Sequence, residues 1–165
     1  MTDADVTADA LRVVAARLAA GVAVVAARRL GVEHAATVSS LTSVSLEPPL
    51  VLFCVHVDAR LRDVLDDVDT WAVSVLADDQ GEVADWLASP GRPAVGQLTR
   101  VPHRPGPVSG AAWVDGAAAW LDCRTEAVHR AGDHDVVVGR VLAAAQGAPD
   151  AGGLVHLRGR LRGLR

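Results

Sequence analysis

The sequence predicts a mainly β fold, a closed or partly closed antiparallel β-barrel with about three flanking α-helices. Three observations carry that prediction. Six or seven segments read as strands, against three that read as helices. The two kinds of segment do not alternate regularly, which disfavours a doubly wound parallel sheet. The longest apolar-patterned stretch, residues 117–146, reads as two strands joined at Ala131–Gly132–Asp133, the signature of an antiparallel hairpin.

The elements follow in order. Residues 7–20, TADALRVVAARLAA, space Leu11, Val14, Ala15 and Leu18 at helical intervals, with Gly21 where a C-cap belongs. GVAVVAA (21–27) is a Val-rich strand, and the next segment turns around Gly31. TVSSLTSVSLEPPL (37–50) then places six hydroxyl side chains in its first nine positions before a double proline. A buried hydroxyl left unpaired costs about 1–3 kcal/mol. This strand therefore faces water, or lies against something rich in donors and acceptors. Pro48–Pro49 ends one strand and starts the next without needing a ladder donor. PPLVLFCVHV is a continuous apolar run, as expected of a strand buried on both faces.

DARLRDVLDDV (58–68) is a short helix with Asp58 as its N-cap and Leu61, Val64, Leu65 and Val68 as its apolar stripe. TWAVSVLA is a strand, and DDQGEVADWLAS a helix in which Asp79 and Glu82 suit a capping box. Residues 90–117 hold five of the eight prolines, an excursion that covers something or reaches a partner. After the 117–146 hairpin, GAPDAGG turns the chain into LVHLRGRLRGLR. There Arg158, Arg160 and Arg162 fall on one side of an extended segment. A charged edge strand explains them more readily than a phosphate site.

The 165 residues suit one domain, 1–165, with a sizeable core. Half are apolar and 22% are charged, the balance of a folded chain. A net charge of -4 argues against a general nucleic-acid binder. All sixteen basic residues are arginine, so lysine Schiff-base chemistry is excluded. No apolar run is long enough to cross a bilayer, and the acidic N-terminus lacks the basic region of a secretory signal. Cys54 and Cys123 have neither disulfide nor zinc spacing, so a cytoplasmic chain with reduced thiols is expected. Cys54 and His56 share a strand face with no third ligand at suitable spacing, so no metal site is expected. No GxGxxG follows a strand, and neither a P-loop nor a GxSxG elbow occurs.

From about residue 8 to the C-terminus, four stretches resemble the flavin reductase family. They are AAGVAVVAARRLGVEHAATVSSLTSVSLEPPLVLFCV, WAVSVLADDQ, GAAAWLDC and AGDHDVVVGRVLAA. Those are small proteins of the FMN-binding split-barrel fold, a Greek-key-like antiparallel barrel, that feed reduced flavin to two-component monooxygenases. The resemblance implies that Thr37, Val38, Ser39 and Ser40 line the isoalloxazine ring, amides and hydroxyls pairing with its polar edge. Fixed donors aimed at that edge stabilise the electron-rich reduced ring without reorganising. It places a second flavin contact in CVHVDARLR, at Cys54, Val55, Asp58 and Arg60, where a helix N-terminus can hold phosphate. There Asp58, Ala59 and Leu61 replace small hydroxyl residues, an Asp58 cap competes with phosphate, and Arg60 and Arg62 compensate. It assigns His134, of AGDH, to the nicotinamide as the catalytic residue. Leu161 stands where the family carries an aromatic, which implies loosely held flavin. The implied cofactors are FMN or FAD, with NADH or NADPH as hydride donor. The implied partners are a second copy in a homodimer and a flavin-dependent monooxygenase. A flavin-binding split barrel without turnover is the alternative.

Overall fold

The structure, a computed structural model, describes residues 6–165. In chain order the elements are α1 (Ala8–Ala15), β1 (Ala20–Gly21), β2 (Ala23–Arg29), β3 (Val32–Val38), β4 (Thr42–Leu46), β5 (Pro49–His56), α2 (Arg60–Asp67), β6 (Thr70–Val75), α3 (Gly81–Ala88), β7 (His103–Pro105), β8 (Ala112–Val114), β9 (Ala119–Ala131), β10 (His134–Gln146), β11 (Gly153–Leu157) and β12 (Arg160–Leu164).

Seven strands form one sheet in the order β3-β2-β6-β9-β10-β5-β4, and every pairing in it is antiparallel. Its two outer strands, β3 and β4, are joined in sequence by Ser39–Ser40–Leu41 alone. So short a link brings both edges together, and the sheet must roll into a barrel with a seam there. No ladder bridges the seam among the described residues. The β4–β5 pairing ends at Thr42↔Leu52, and the Ser40 hydroxyl continues it. Its Oγ accepts from the Cys54 amide (2.9 Å) and donates to the Cys54 carbonyl (3.3 Å). The hydroxyl-rich stretch 37–50, expected as one strand, is thus divided between β3 and β4, broken where the barrel splits.

The core has two layers. Inside the barrel, Val25, Phe53, Val55, Trp71, Val73 and Val137 pack with Leu61, Val64 and Leu65 of α2, which closes one end. Outside, Val22 just before β2 and Val24 and Ala26 within it pack with α3, with Trp113 from the excursion and with Trp120 of β9. β2 is therefore buried on both faces. β5, expected to be so, alternates instead: Val51, Phe53 and Val55 point inward, while Cys54 is half-buried and His56 exposed. Among the described residues, the outward-facing side chains of β5 are half-buried or exposed.

The excursion folds back as the β7–β8 hairpin and stacks the Trp113 indole on Trp120 of β9, with ring centroids 5.8 Å apart. Asp122 of β9 anchors it from beneath. Its carboxylate, fully buried, accepts from the amides of Val108 (2.7 Å) and Ser109 (3.1 Å), the Ser109 hydroxyl (2.6 Å) and Trp113 Nε1 (3.0 Å).

Four local expectations are corrected. α1 stops at Ala15 with Ala16 as its C-cap, short of Gly21, and none of its residues is buried. The N-cap of α2 is Ala59, not Asp58, and no side chain caps it. Asp79 and Glu82 form no capping box; Gln80 is the N-cap of α3, and its Oε1 accepts from the Ala77 amide instead. Arg158 lies in the turn between β11 and β12, at φ 54, so only Arg160 and Arg162 share a strand. No helix is long and apolar enough to cross a membrane among the described residues.

Candidate functional site: a cleft along the barrel seam

Two cavities meet at Ala88 and together follow β3. The first, about 400 Å³, is bounded by His34–Ala36 of β3, the His56–Leu61 passage into α2, and Ala88–Arg92 after α3. The second, about 610 Å³, lies between Thr37 and Ser39, Ala84 and Asp85 of α3, and the His156–Leu161 hairpin. Both volumes fall in the range of small-molecule sites.

The expected residues take different stations. Val38 and Val55 point into the barrel core. Thr37 Oγ1 donates to the Ala84 carbonyl (2.8 Å), and the Ser40 hydroxyl is held by Cys54. Ser39 alone of the four presents a free hydroxyl to the cleft. The amides of Ser39, Ser40 and Leu41 make no hydrogen bond among the described residues, because the seam denies them a partner strand. Cys54 is half-buried on the outer face of β5. The other cysteine, Cys123, is sealed in the core, where burial and the neighbouring Asp122 push its thiol up to about 12. It is inert by that shift.

At the first cavity, the uncapped N-terminus of α2 faces inward beside Arg60. The first-turn amides of a helix have no intrahelical acceptor. The Asp58 carboxylate does not compete for them: its side chain is 88% exposed and lies 3.9 Å from His56 Nδ1. Arg62, expected to help with phosphate, is engaged elsewhere. It donates from Nε to Asp135 (2.5 Å) and from Nη1 to Asp66 (2.6 Å). His134 stands opposite His56 across the β5–β10 ladder, with ring centroids 5.2 Å apart; of the two, only His56 lines this cavity. Its Nδ1–H points at Asp133 Oδ1 (2.7 Å), and that hydrogen bond holds the Asp133 carboxyl below the usual range.

Three residues escaped the sequence reading. His34 and Arg92 line the first cavity, and Asp135 ties α2 to the strand that carries His134. A histidine amid the small apolar residues of β3 was a usable signal. Arg92, between proline and glycine in a loop, gave none. Leu161 lines the second cavity and packs on the outer core.

A seven-stranded antiparallel barrel split at one seam, with a polar cleft along the split and a cationic end, defines the class of split-barrel flavin-binding proteins. The chain belongs to the flavin reductase like domain family, whose model matches residues 15–165. It is 40% identical over 127 residues to an NADH-dependent FAD reductase of Streptomyces globisporus, covering 76% of this chain and 69% of that one. It is 38% identical over 133 residues to the reductase component of 4-hydroxyphenylacetate 3-monooxygenase of Thermus thermophilus, covering 81% of each. The solved Streptomyces globisporus NADH:FAD oxidoreductase in complex with NAD and FAD fragments superposes with a TM-score of 0.89 at 36% identity, over 95% of this chain and 92% of that one.

Proposed function

We propose that the protein passes hydride from NADH to FMN or FAD and releases the reduced flavin to a separate flavin-dependent monooxygenase. It works as a single-domain homodimer in the cytoplasm. One observation supports the reading above the others. The cleft follows β3 through the hydroxyl-rich stretch and ends at two arginines, Arg60 and Arg92, that pair with no carboxylate among the described residues. The residues fit a phosphorylated flavin at both ends. Unpaired amides at Ser39–Leu41 and the Ser39 hydroxyl suit the polar edge of the ring. The α2 N-terminus and Arg60 suit its phosphate.

What bound flavin supplies is a hydride acceptor, its N5, for the C4 hydride of the nicotinamide. The protein's part is placement, since holding two rings face to face removes most of the entropic barrier and no general acid is required. Thr37 and Val38 set the path of β3, Ser40 pins it to Cys54, and the seam keeps the amides beside them free. His134, with Nδ1–H directed at Asp133, has Nε2 left to meet the nicotinamide carboxamide. Val55 supports the site from the core, and Asp58 stands outside the phosphate end.

Purified protein mixed anaerobically with NADH and free FMN or FAD should bleach the flavin's visible absorbance. No NADH oxidation above background would overturn the reading, and flavin retained without turnover would leave a binding protein. In His134→Ala, the KM for NADH should rise about tenfold while the KM for flavin changes little. Equal changes in both would remove His134 from the nicotinamide.

A further inference from the structure

Two buried side-chain nitrogens have no hydrogen-bond partner among the described residues, His34 Nδ1 and Arg92 Nε, and both residues line the first cavity. Orphaned polar atoms of this kind are rare, and each calls for an explanation. Their meeting at one cavity points to a missing acceptor there. His34 is 9% exposed and sits on β3. Arg92 reaches over from the loop after α3, where its Nη2 donates to the Ala35 carbonyl (3.3 Å) and its Nη1 to the Ser89 carbonyl (2.9 Å). Arg60 comes from the uncapped start of α2 and donates one Nη1–H to the Arg92 carbonyl (2.7 Å), which ties the two arginines together.

We propose that His34 and Arg92 complete, with Arg60, a phosphate-binding corner that selects flavin bearing a 5′-phosphate over riboflavin, and that His34 takes up a proton from solvent as the phosphate enters. This deepens the flavin reading and rests on it. The groups facing His34 are nearly all cationic or neutral. Arg29 of β2 is already paired with Asp67 (2.5 Å), while Arg60 and Arg92 have no acid. His56 borders the same cavity, Asp58 is turned to solvent, and Gln97 has its Oε1 occupied by the Ala35 amide (3.0 Å). Glu33 points to the opposite face of β3, where it accepts from the Ala112 amide (3.2 Å). Burial first, then Arg29 and Arg60, hold His34 below the ordinary imidazole range. The ring is therefore neutral while cations alone face it. A phosphate between Arg60 and Arg92 reverses the local field and gives Nδ1 an acceptor, which favours imidazolium. Riboflavin brings no such charge.

The test is calorimetric titration of the whole protein with FMN and with riboflavin, near pH 7.5, in two buffers of different ionisation heat. A phosphomonoester's second pKa is about 6, so FMN itself releases almost no proton there. FMN should bind about tenfold tighter than riboflavin or better, with at least about half a proton taken up; riboflavin should take up none. His34→Gln should abolish the uptake, and both His34→Gln and Arg92→Gln should weaken FMN about tenfold without moving riboflavin. The unchanged riboflavin affinity shows that the variants fold. Inorganic phosphate should compete with FMN and not with riboflavin. Equal affinities for FMN and riboflavin, or uptake that survives His34→Gln, would overturn the proposal while leaving flavin reduction standing. If the variants raise the KM for NADH and spare FMN, the corner belongs to the dinucleotide's pyrophosphate, and the proposal falls. If no flavin binds at all, the flavin reading falls with it.

Discussion

Ser40 does the work of a missing strand residue. Beyond Leu52, β5 has no neighbour on its seam side, and the Ser40 hydroxyl satisfies both the amide and the carbonyl of Cys54. A hydroxyl can do so because it donates and accepts at once. Thr37 is used similarly toward Ala84 of α3. Much of the hydroxyl enrichment is thus structural, and it shapes the cleft by leaving adjacent amides bare. Gly139 shows the same economy in the core. It lies at a register shift of the β9–β10 ladder, directly against the buried Trp71, and an added Cβ would overlap the indole. Gly139→Ala should therefore cost about 1–3 kcal/mol and lower the thermal midpoint by about 5 °C. An unchanged melting curve would show that Trp71 has room to yield.

Among the elements, α2 has the most demanding position, because it both plugs the barrel and presents its N-terminus to the cleft. Leu61, Val64 and Leu65 seat it by burial. Asp135, 3% exposed, fixes its rotation: one carboxylate oxygen accepts from Arg62 (2.5 Å), and the other pairs with Arg130 (2.7 Å). The Arg62 hydrogen bond chiefly, with Arg130 adding to it, holds the Asp135 carboxyl below its usual range. A carboxyl depressed on folding stabilises the native state fully above its unfolded value, about 3.9, and loses that contribution as pH falls below it. Asp135→Asn should accordingly melt lower than the parent at neutral pH, and the gap should close as pH drops below about 4. A gap that stays constant through the acid range would show that the pair is not what holds α2. The excursion over residues 90–117 is fastened on the same principle by a buried carboxylate, Asp122, which gathers donors from the loop between β7 and β8 and from Trp113.

At the scale of the molecule, the barrel and its cleft have one origin. A short link between the two edge strands rolls the sheet, and the seam it leaves is both the split and the floor of the site. The other unmet demand lies outside. Leu11 and Val14 of α1 and Leu18 in the turn after it are each more than 60% exposed, and Val44 and Leu46 are exposed on the free edge of β4. A second copy is the proposed cover. Light scattering on the eluting protein should give twice the chain mass, and Leu11→Glu should shift the equilibrium toward monomer. A monomeric parent at micromolar concentration would refute the homodimer.

The sequence by itself determined the strand-dominated architecture, the hairpin turn at Gly132, the break at Pro48–Pro49 and the stretch along which the cleft runs. Each of these follows from local periodicity, from a residue that cannot continue a ladder, or from a run of residues similar to a known family. Only the tertiary structure decided which hydroxyls face the cleft and which brace the seam. It also moved Asp58 off the helix end, gave Arg62 to Asp135, and brought His34 of β3 to Arg92 of a distant loop. Those outcomes depend on which chain segments meet in space, and a carboxylate or an arginine settles on the nearest group of opposite need, whatever its distance along the chain.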